Sequence, residues 1–251
     1  HYNPKTASNI ARQYILPDSS YFYNQNSLSN NINNSHRLNL GFDYVIDSFH
    51  SLKVSPSLGY QQTKNNSLSD YQQLGSDGRQ SNNGYSNSIS NSTGYNFRND
   101  LLFRKKFRRR GRTFSLSLQT TLNNSDGDGS LESINEFFTR GGTGSQTDTI
   151  DQRFTNKSDL YGYNARAVYT EPIFKRSLLE FSLGKSNNRS TAEKITYDHN
   201  DLNGKYDQLN DSLTNDFENT YGFTNAGIRV RTQKKKYNYA EDFAKANFKD
   251  I

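Results

Sequence analysis

The residues best suited to chemistry run from 124 to 130, Asn-Ser-Asp-Gly-Asp-Gly-Ser. Oxygen ligands at Asn124, Asp126 and Asp128, with Gly129 at a sharp turn, resemble the first half of an EF-hand calcium loop. Glu132 takes the ninth position, but the twelfth is Asn135, where a bidentate Glu belongs. No helical pattern flanks the stretch, so a tight Asp/Gly turn leaving a strand accounts for it as simply. A second acidic group, Asp198, Asp201, Asp207, Asp211, Asp216 and Glu218, fits a cation site or a solvated loop. His1, His36, His50 and His199 have no spacing that makes a metal pair. Asp43 and Glu180 fall on polar strand faces, where water-facing charge is a plainer role than a glycosidase carboxylate pair. There is no Cys, which excludes a disulfide, a zinc-thiolate site and a thiol nucleophile. No nucleophile elbow, phosphate-cradling glycine loop or HExxH motif occurs. The pattern predicts no catalytic residue, no cofactor and no metal ligand, and so no enzyme.

The elements that carry these residues show a different organisation. Phe114, Leu116, Leu118, Thr120 and Leu122 alternate with Ser115, Ser117, Gln119, Thr121 and Asn123. Successive strand side chains point to opposite faces, so this arm has one oily and one polar surface. It pairs with Phe97, Leu101 and Phe103 across a basic turn, Lys105 to Arg112. The same design recurs in hairpins near 35–64, 95–124, 158–186 and 219–240. In the first, Leu38, Leu40, Phe42, Tyr44 and Ile46 face one way, as do Leu52, Val54, Pro56, Leu58 and Tyr60 on the return. Pro56 cannot donate to a ladder, so a bulge or a missing pair is expected there. In the third, Tyr161, Tyr163, Ala165, Ala167 and Tyr169 precede a turn at Glu171-Pro172, and Leu179, Phe181 and Leu183 follow. In the fourth, Tyr221 and Phe223 fall out of phase with Ile228 and Val230, which predicts a bulge near Asn225–Gly227 and a turn from Gln233 to Lys236.

The polar stretches 65–91, 124–156 and 186–218 read as long loops, and residues 1–34 as loop-like. The tail 241–251 reads as a short helix or a frayed end. Short turns near 49, 108, 173 and 234 give a unit of about sixty residues, strand, short turn, strand, long loop. Short turns at one end and long loops at the other, with apolar-out and polar-in strands, mark a transmembrane outer-membrane barrel. The expected fold is therefore all-β, an antiparallel meander forming part of such a barrel, with short periplasmic turns and long external loops. Tyr44, Tyr60, Tyr95, Phe97, Phe103, Phe114, Tyr161, Tyr163, Tyr169 and Phe174 are expected to form its interfacial girdle.

Composition agrees with half-exposed sheet. Only 31% of the 251 residues are hydrophobic, yet 13% are aromatic and the net charge is only +6, so the chain departs from the disordered class. Its mean hydropathy is −0.99, and no run approaches the ~20 apolar residues of a membrane helix. A pI near 9.3 raises nucleic-acid binding. The basic residues instead cluster at turns, where lipid phosphate or solvent meets them. The chain has no Met and begins at His1, and it reads as a mature piece of a longer protein.

The stretches FRKKFRRRGRTFSLSLQTTLNNSDGDGSLESINEFF and YDQLNDSLTNDFENTYGFTNAGIRVRTQKKKYNY resemble the outer-membrane β-barrel family of Bacteroidota, whose members resemble TonB-dependent receptors. HRLNLGFDYVIDSFHSLKVSPSLGYQ, the run Phe22 to Asn26 and the run Asp148 to Arg153 fit as well, so the resemblance covers roughly Ser19 to Tyr239. It implies an internal run of a large barrel in the cell outer membrane, in contact with outer-membrane lipid. A plug, the TonB system and surface lipoproteins would engage parts of the protein outside this stretch. It also implies uptake of a bulky nutrient or chelate. A barrel that does not transport, serving as adhesin or scaffold, and a soluble glycan-binding β-sandwich are the alternatives.

Overall fold

The computed structural model describes residues 4–17, 20–139, 144–233 and 238–250. Eleven strands account for nearly all of them: β1 (Lys5–Ile15), β2 (Ser20–Asn39), β3 (Phe42–Val45), β4 (His50–Gly75), β5 (Gln80–Lys106), β6 (Thr113–Phe138), β7 (Ser145–Phe174), β8 (Ser177–Asn200), β9 (Lys205–Leu209), β10 (Asn215–Gln233) and β11 (Asn238–Asp250). They form a single antiparallel meander in the order β1-β2-β4-β5-β6-β7-β8-β10-β11, with β3 on β4 and β9 on β8. Among the described residues the sheet is open, with β1 at one edge and β11 at the other.

The strands are far longer than the alternation predicts. β7 alone has 30 residues, which at ~3.3 Å per residue is roughly 100 Å. Three expected loops are strand instead. Residues 65–91 are the far ends of β4 and β5 around a tight turn at 76–79, closed by hydrogen bonds from the Gly75 N–H to the Arg79 carbonyl (2.7 Å) and from the Gly78 N–H to the Gly75 carbonyl (2.9 Å). Within 124–156, residues 124–138 belong to β6 and 145–156 to β7, and 186–218 hold β8, β9 and the start of β10. Residues 5–15 and 20–34, expected as loop, form β1 and much of β2, and the tail pairs as β11 rather than forming a helix. The long-loop, short-turn asymmetry is thus replaced by tight connections at the described ends of the sheet.

Pairing persists because the backbone ladder needs no apolar side chain to continue. In the polar half the side chains add bonds of their own. Asn9 donates to Asn26 at 2.7 Å, and Asn26 donates to Asp70 at 2.9 Å, a ladder across three strands. Asn and Ser have low strand propensity, but here they meet identical or complementary amides in register. A side chain at Gly129 would collide with the Phe154 ring, which lies over it from the next strand.

Pro56 sits where a pair is missing. β2 ends at Asn39 and β3 starts at Phe42, and between them the Leu40 N–H donates to the Pro56 carbonyl at 2.9 Å. Proline has no N–H to return that bond, so the ladder breaks there. The bulge expected in β10 is elsewhere. β10 runs against β8 in unbroken register, and the shift falls between Ile228 and Arg229 on the β11 side, where Phe243 is the extra residue. Tyr221 and Phe223 therefore lie on the opposite face from Ile228 and Val230. The expected turn at 233–236 lies largely outside the described residues.

Candidate functional site

Register assigns every side chain to a face, because directly paired residues point the same way. One face carries consecutive apolar rows near the turn end. Tyr44, Leu52, Phe103, Leu116, Ala167, Leu183 and Ala226 form one row, and Leu38, Leu58, Phe97, Leu122 and Tyr161 form another. Aromatic rings bound the band on both sides. Phe114, Tyr169 and Phe181 lie in register at the turn end. At the other margin His36 stacks on Tyr60 (6.3 Å between centroids), and Tyr60 meets Tyr95 at 5.1 Å. All ten aromatic residues expected in the girdle share this face by register. From the His50 row to the Tyr60 row is ten residue steps of β4, about 33 Å along the strand.

Both faces of the sheet are accessible, and no apolar core forms among the described residues. Among the described residues no hydrophobic side chain is buried, and Tyr44, Phe42 and Leu183 are 63%, 57% and 58% exposed. Besides glycines, the buried residues are Ser133, Gln152, Ser186 and Thr196, all on the other face or at the far connection. That polar face carries Ser115, Ser117, Gln119 and Thr121 of β6, beside Arg98 and Asp100 of β5. Arg98 donates to Asp100 at 3.1 Å, and Gln119 donates to the same carboxylate at 2.6 Å. The apolar band is continuous from β2 to β7. On β8 and β10 it gives way to Lys185, Asn187 and Arg189 with Thr224, Gly222 and Thr220, and Arg189 pairs with Glu218 at 2.8 Å.

Just beyond the band, the turn 107–112 is clamped to the end of β7. Arg112 donates to both oxygens of Glu171 (2.7 and 2.8 Å), Arg109 donates to Glu171 and to the Pro172 carbonyl (both 2.8 Å), and the Tyr169 hydroxyl donates at 2.7 Å. The bond from Arg112, then that from Tyr169, reinforced by both guanidinium charges, holds the Glu171 carboxyl at about 2. Gly111 closes the turn at φ +88, in the left-handed region that glycine enters without strain. The next turn, 46–49, is fixed by Asp47, which accepts from the N–H groups of Phe49 and His50 and from the His50 ring. The His50 ring bond, then the Phe49 N–H, keeps the Asp47 carboxyl below its ordinary value.

The structure separates the residues that suggested chemistry. Asn124, Asp126 and Asp128 lie along one face of β6 in extended backbone, with Gly127 and Gly129 on the other, so no loop wraps a cation. Two of the acidic residues from 198 on, Asp198 and Asp207, serve as internal acceptors. Asp198 accepts from Gln152 and Asn210 (both 2.8 Å), and Asp207 accepts from Asn200 and Asn203 (3.0 and 2.6 Å). These bonds hold Asp207 below its ordinary pKa and order the connection around β9. Asp43 pairs with Lys53 at 3.7 Å. Four strands separate it from Glu180, roughly 24 Å at ~4.8 Å per strand, against the ~5–9.5 Å of a glycosidase pair. His50 and His199 pair with Asp47 and Asp201, and His1 lies outside the described residues. Among the described residues no cluster of three His, Cys, Asp or Glu is placed to hold a metal. Glu171 is the residue that sequence reasoning missed. Its signal was the excess of arginine in a turn whose counterion lies some sixty positions away.

No protein-family profile and no curated protein matches the chain. Among solved structures it is similar to a non-hemolytic pneumolysin from Streptococcus pneumoniae strain ST306, at 8% identity over 96% of this chain and 88% of that one, with a TM-score of 0.10. It is similar also to pneumolysin in its membrane pore complex, at 10% identity over 100% of this chain and 64% of that one, with a TM-score of 0.13. Superpositions this poor carry no argument about fold or function.

Proposed function

We propose that this chain is a run of strands from a transmembrane outer-membrane β-barrel resembling TonB-dependent receptors, and that the parent protein passes a bulky polar nutrient or chelate across the outer membrane. The observation that carries this is the unburied apolar band: among the described residues no hydrophobic side chain is buried, and Leu58, Leu116, Leu122 and Tyr161 of the band are 47%, 38%, 42% and 49% exposed. In water, so large an exposed apolar band would drive association. In a bilayer it is the required surface, and its extent of about 33 Å along the strand, bounded by two aromatic rows, would stand about 25 Å tall at the ~40° tilt of barrel strands, the height of their apolar band. The polar face, with Arg98, Asp100, Gln119 and Arg166, would line a hydrated passage. On this reading the sector around Lys185 and Arg189 faces protein or water rather than acyl chains. The long polar strand ends project beyond the outer surface, where ligand is met. Transport rather than a scaffold role rests on the receptor resemblance and on the hydrophilic face.

The absence of Cys makes the test direct. Single cysteines at Leu58, Leu118 and Leu122, and at Ser115, Ser117 and Gln119, are treated in intact cells with a membrane-impermeant maleimide. Labelling of the polar set with protection of the apolar set is expected. Equal labelling of both, or recovery of the chain in the soluble fraction, would overturn the barrel reading.

A further inference from the structure

One end of the sheet holds the chain's positive charge. Residues 104–112 and 171–176 contain nine Lys and Arg and one carboxylate, Glu171, for a net +8. All other residues together hold 22 cations against 24 carboxylates, a net −2. The sheet brings the two segments together, since Arg109 and Arg112 of one bind Glu171 and Pro172 of the other. That clamp consumes the one carboxylate of these two segments, and Asp47 of the adjoining turn is held by Phe49 and His50. Lys106, Arg108, Arg110, Lys175 and Arg176 remain exposed around it. They stand against apolar and aromatic groups. Lys105 lies over the Phe107 ring at 5.1 Å, Phe107 meets Tyr169 edge-on at 6.2 Å, and Phe174 is 75% exposed beside Lys175.

We infer that this turn end is a docking surface for the phosphodiester headgroups of anionic phospholipids in the leaflet that borders it. The inference rests on the barrel reading, which places the aromatic row at the headgroup level and the acyl chains against the rows above. Charge complementarity decides the occupant: exposed cations directly below an aromatic margin meet a phosphate while the rings stay at the interface. Clamping Arg109 and Arg112 onto Glu171 fixes the turn so that its other cations are presented rather than folded back.

The test is native mass spectrometry of the full chain extracted from membranes in neutral detergent. It is titrated with phosphatidylglycerol, with phosphatidylcholine of the same acyl chains, and with inorganic phosphate as competitor. A variant with Lys106, Arg108, Arg110, Lys175 and Arg176 all changed to Gln is compared with a charge-matched one, Lys5, Lys64, Arg79, Lys157 and Lys205 to Gln. The expected result is retention of phosphatidylglycerol at least about tenfold over phosphatidylcholine, lost in the first variant and kept in the second. Equal retention of the two lipids, equal loss in both variants, or displacement by millimolar phosphate would overturn the inference while leaving the barrel reading intact. Recovery of the chain outside the membrane, with neither lipid retained, would overturn both.

Discussion

The two halves of each long strand obey different rules. Between His50 and Tyr60, β4 alternates strictly, and a one-residue slip would exchange its Leu and Val for Ser and Lys on the opposite face. Between Gln61 and Gly75 the same strand is polar on both faces, yet it pairs with β5 almost to its end in the register set below. The first half is specified by what its surface must touch. The second is specified by continuity, with amide ladders such as Asn9, Asn26 and Asp70 in place of apolar contact. The lesson is that strand formation and a visible strand signal are separable: a ladder needs backbone partners, while alternation needs two unlike environments.

The largest expected difference between the halves comes from charge. Leu118→Arg, in a central apolar row, is expected to cost about 2–4 kcal/mol when unfolding by urea is followed in lipid vesicles. Asn66→Arg, on the same face in the polar half, is expected to fall within about 0.5 kcal/mol. Equal costs at the two sites would erase the distinction. Next in size is Gly111→Ala, which forces a left-handed backbone on alanine. A loss of about 1–2 kcal/mol is expected by the same measurement, and it comes from the backbone, since the added methyl meets Leu178 at an ordinary 3.4 Å.

The clamp at Glu171 is sensitive to acid. Its carboxyl is held at about 2, below its ordinary value of 4.5. A lowered carboxyl stabilises the fold above the unfolded value and loses that contribution as pH falls toward the folded one. Protease cleavage in the 107–112 turn should therefore rise as pH drops from about 4.5 toward 2, and Glu171→Gln should show the raised level already at neutral pH, with a flat profile. A sloping profile in that variant would assign the effect to another group. A smaller loss than at Leu118 or Gly111 is expected for Asn26→Ala, which removes two exposed bonds from the amide ladder, about 0.5–1 kcal/mol. Hydrogen exchange should register it in β1, β2 and β4 of the polar half and leave the apolar band unchanged.

The sequence was informative wherever two environments met at one strand. The hairpins around 49 and 108, the shared face of the aromatic residues other than Phe174 and the broken pair at Pro56 followed from period-2 patterning and from the missing proline N–H, whereas Phe174 joins that face through the register shift after Pro172. It was uninformative in the polar halves, where Asn, Ser and Gln on both faces leave no period to detect, so 65–91, 124–156 and 186–218 read as loops. The slip of phase between Phe223 and Ile228 was visible, but it marks apolar residues on opposite faces of a strand that keeps unbroken register with β8. The bulge is a separate feature, at Phe243 of β11.

The candidate site divides the same way. An apolar, aromatic-bounded surface and an opposite polar one are properties of alternating side chains, and local sequence by itself determined them. Only the tertiary structure decided that Glu171 neutralises Arg109 and Arg112, that the acidic residues near β9 accept bonds from neighbouring amides, and that Asp43 and Glu180 stand four strands apart. The physical reason is range. Alternation is written between adjacent residues, whereas a counterion or a ladder partner lies tens of residues away and is fixed only by the register of whole strands.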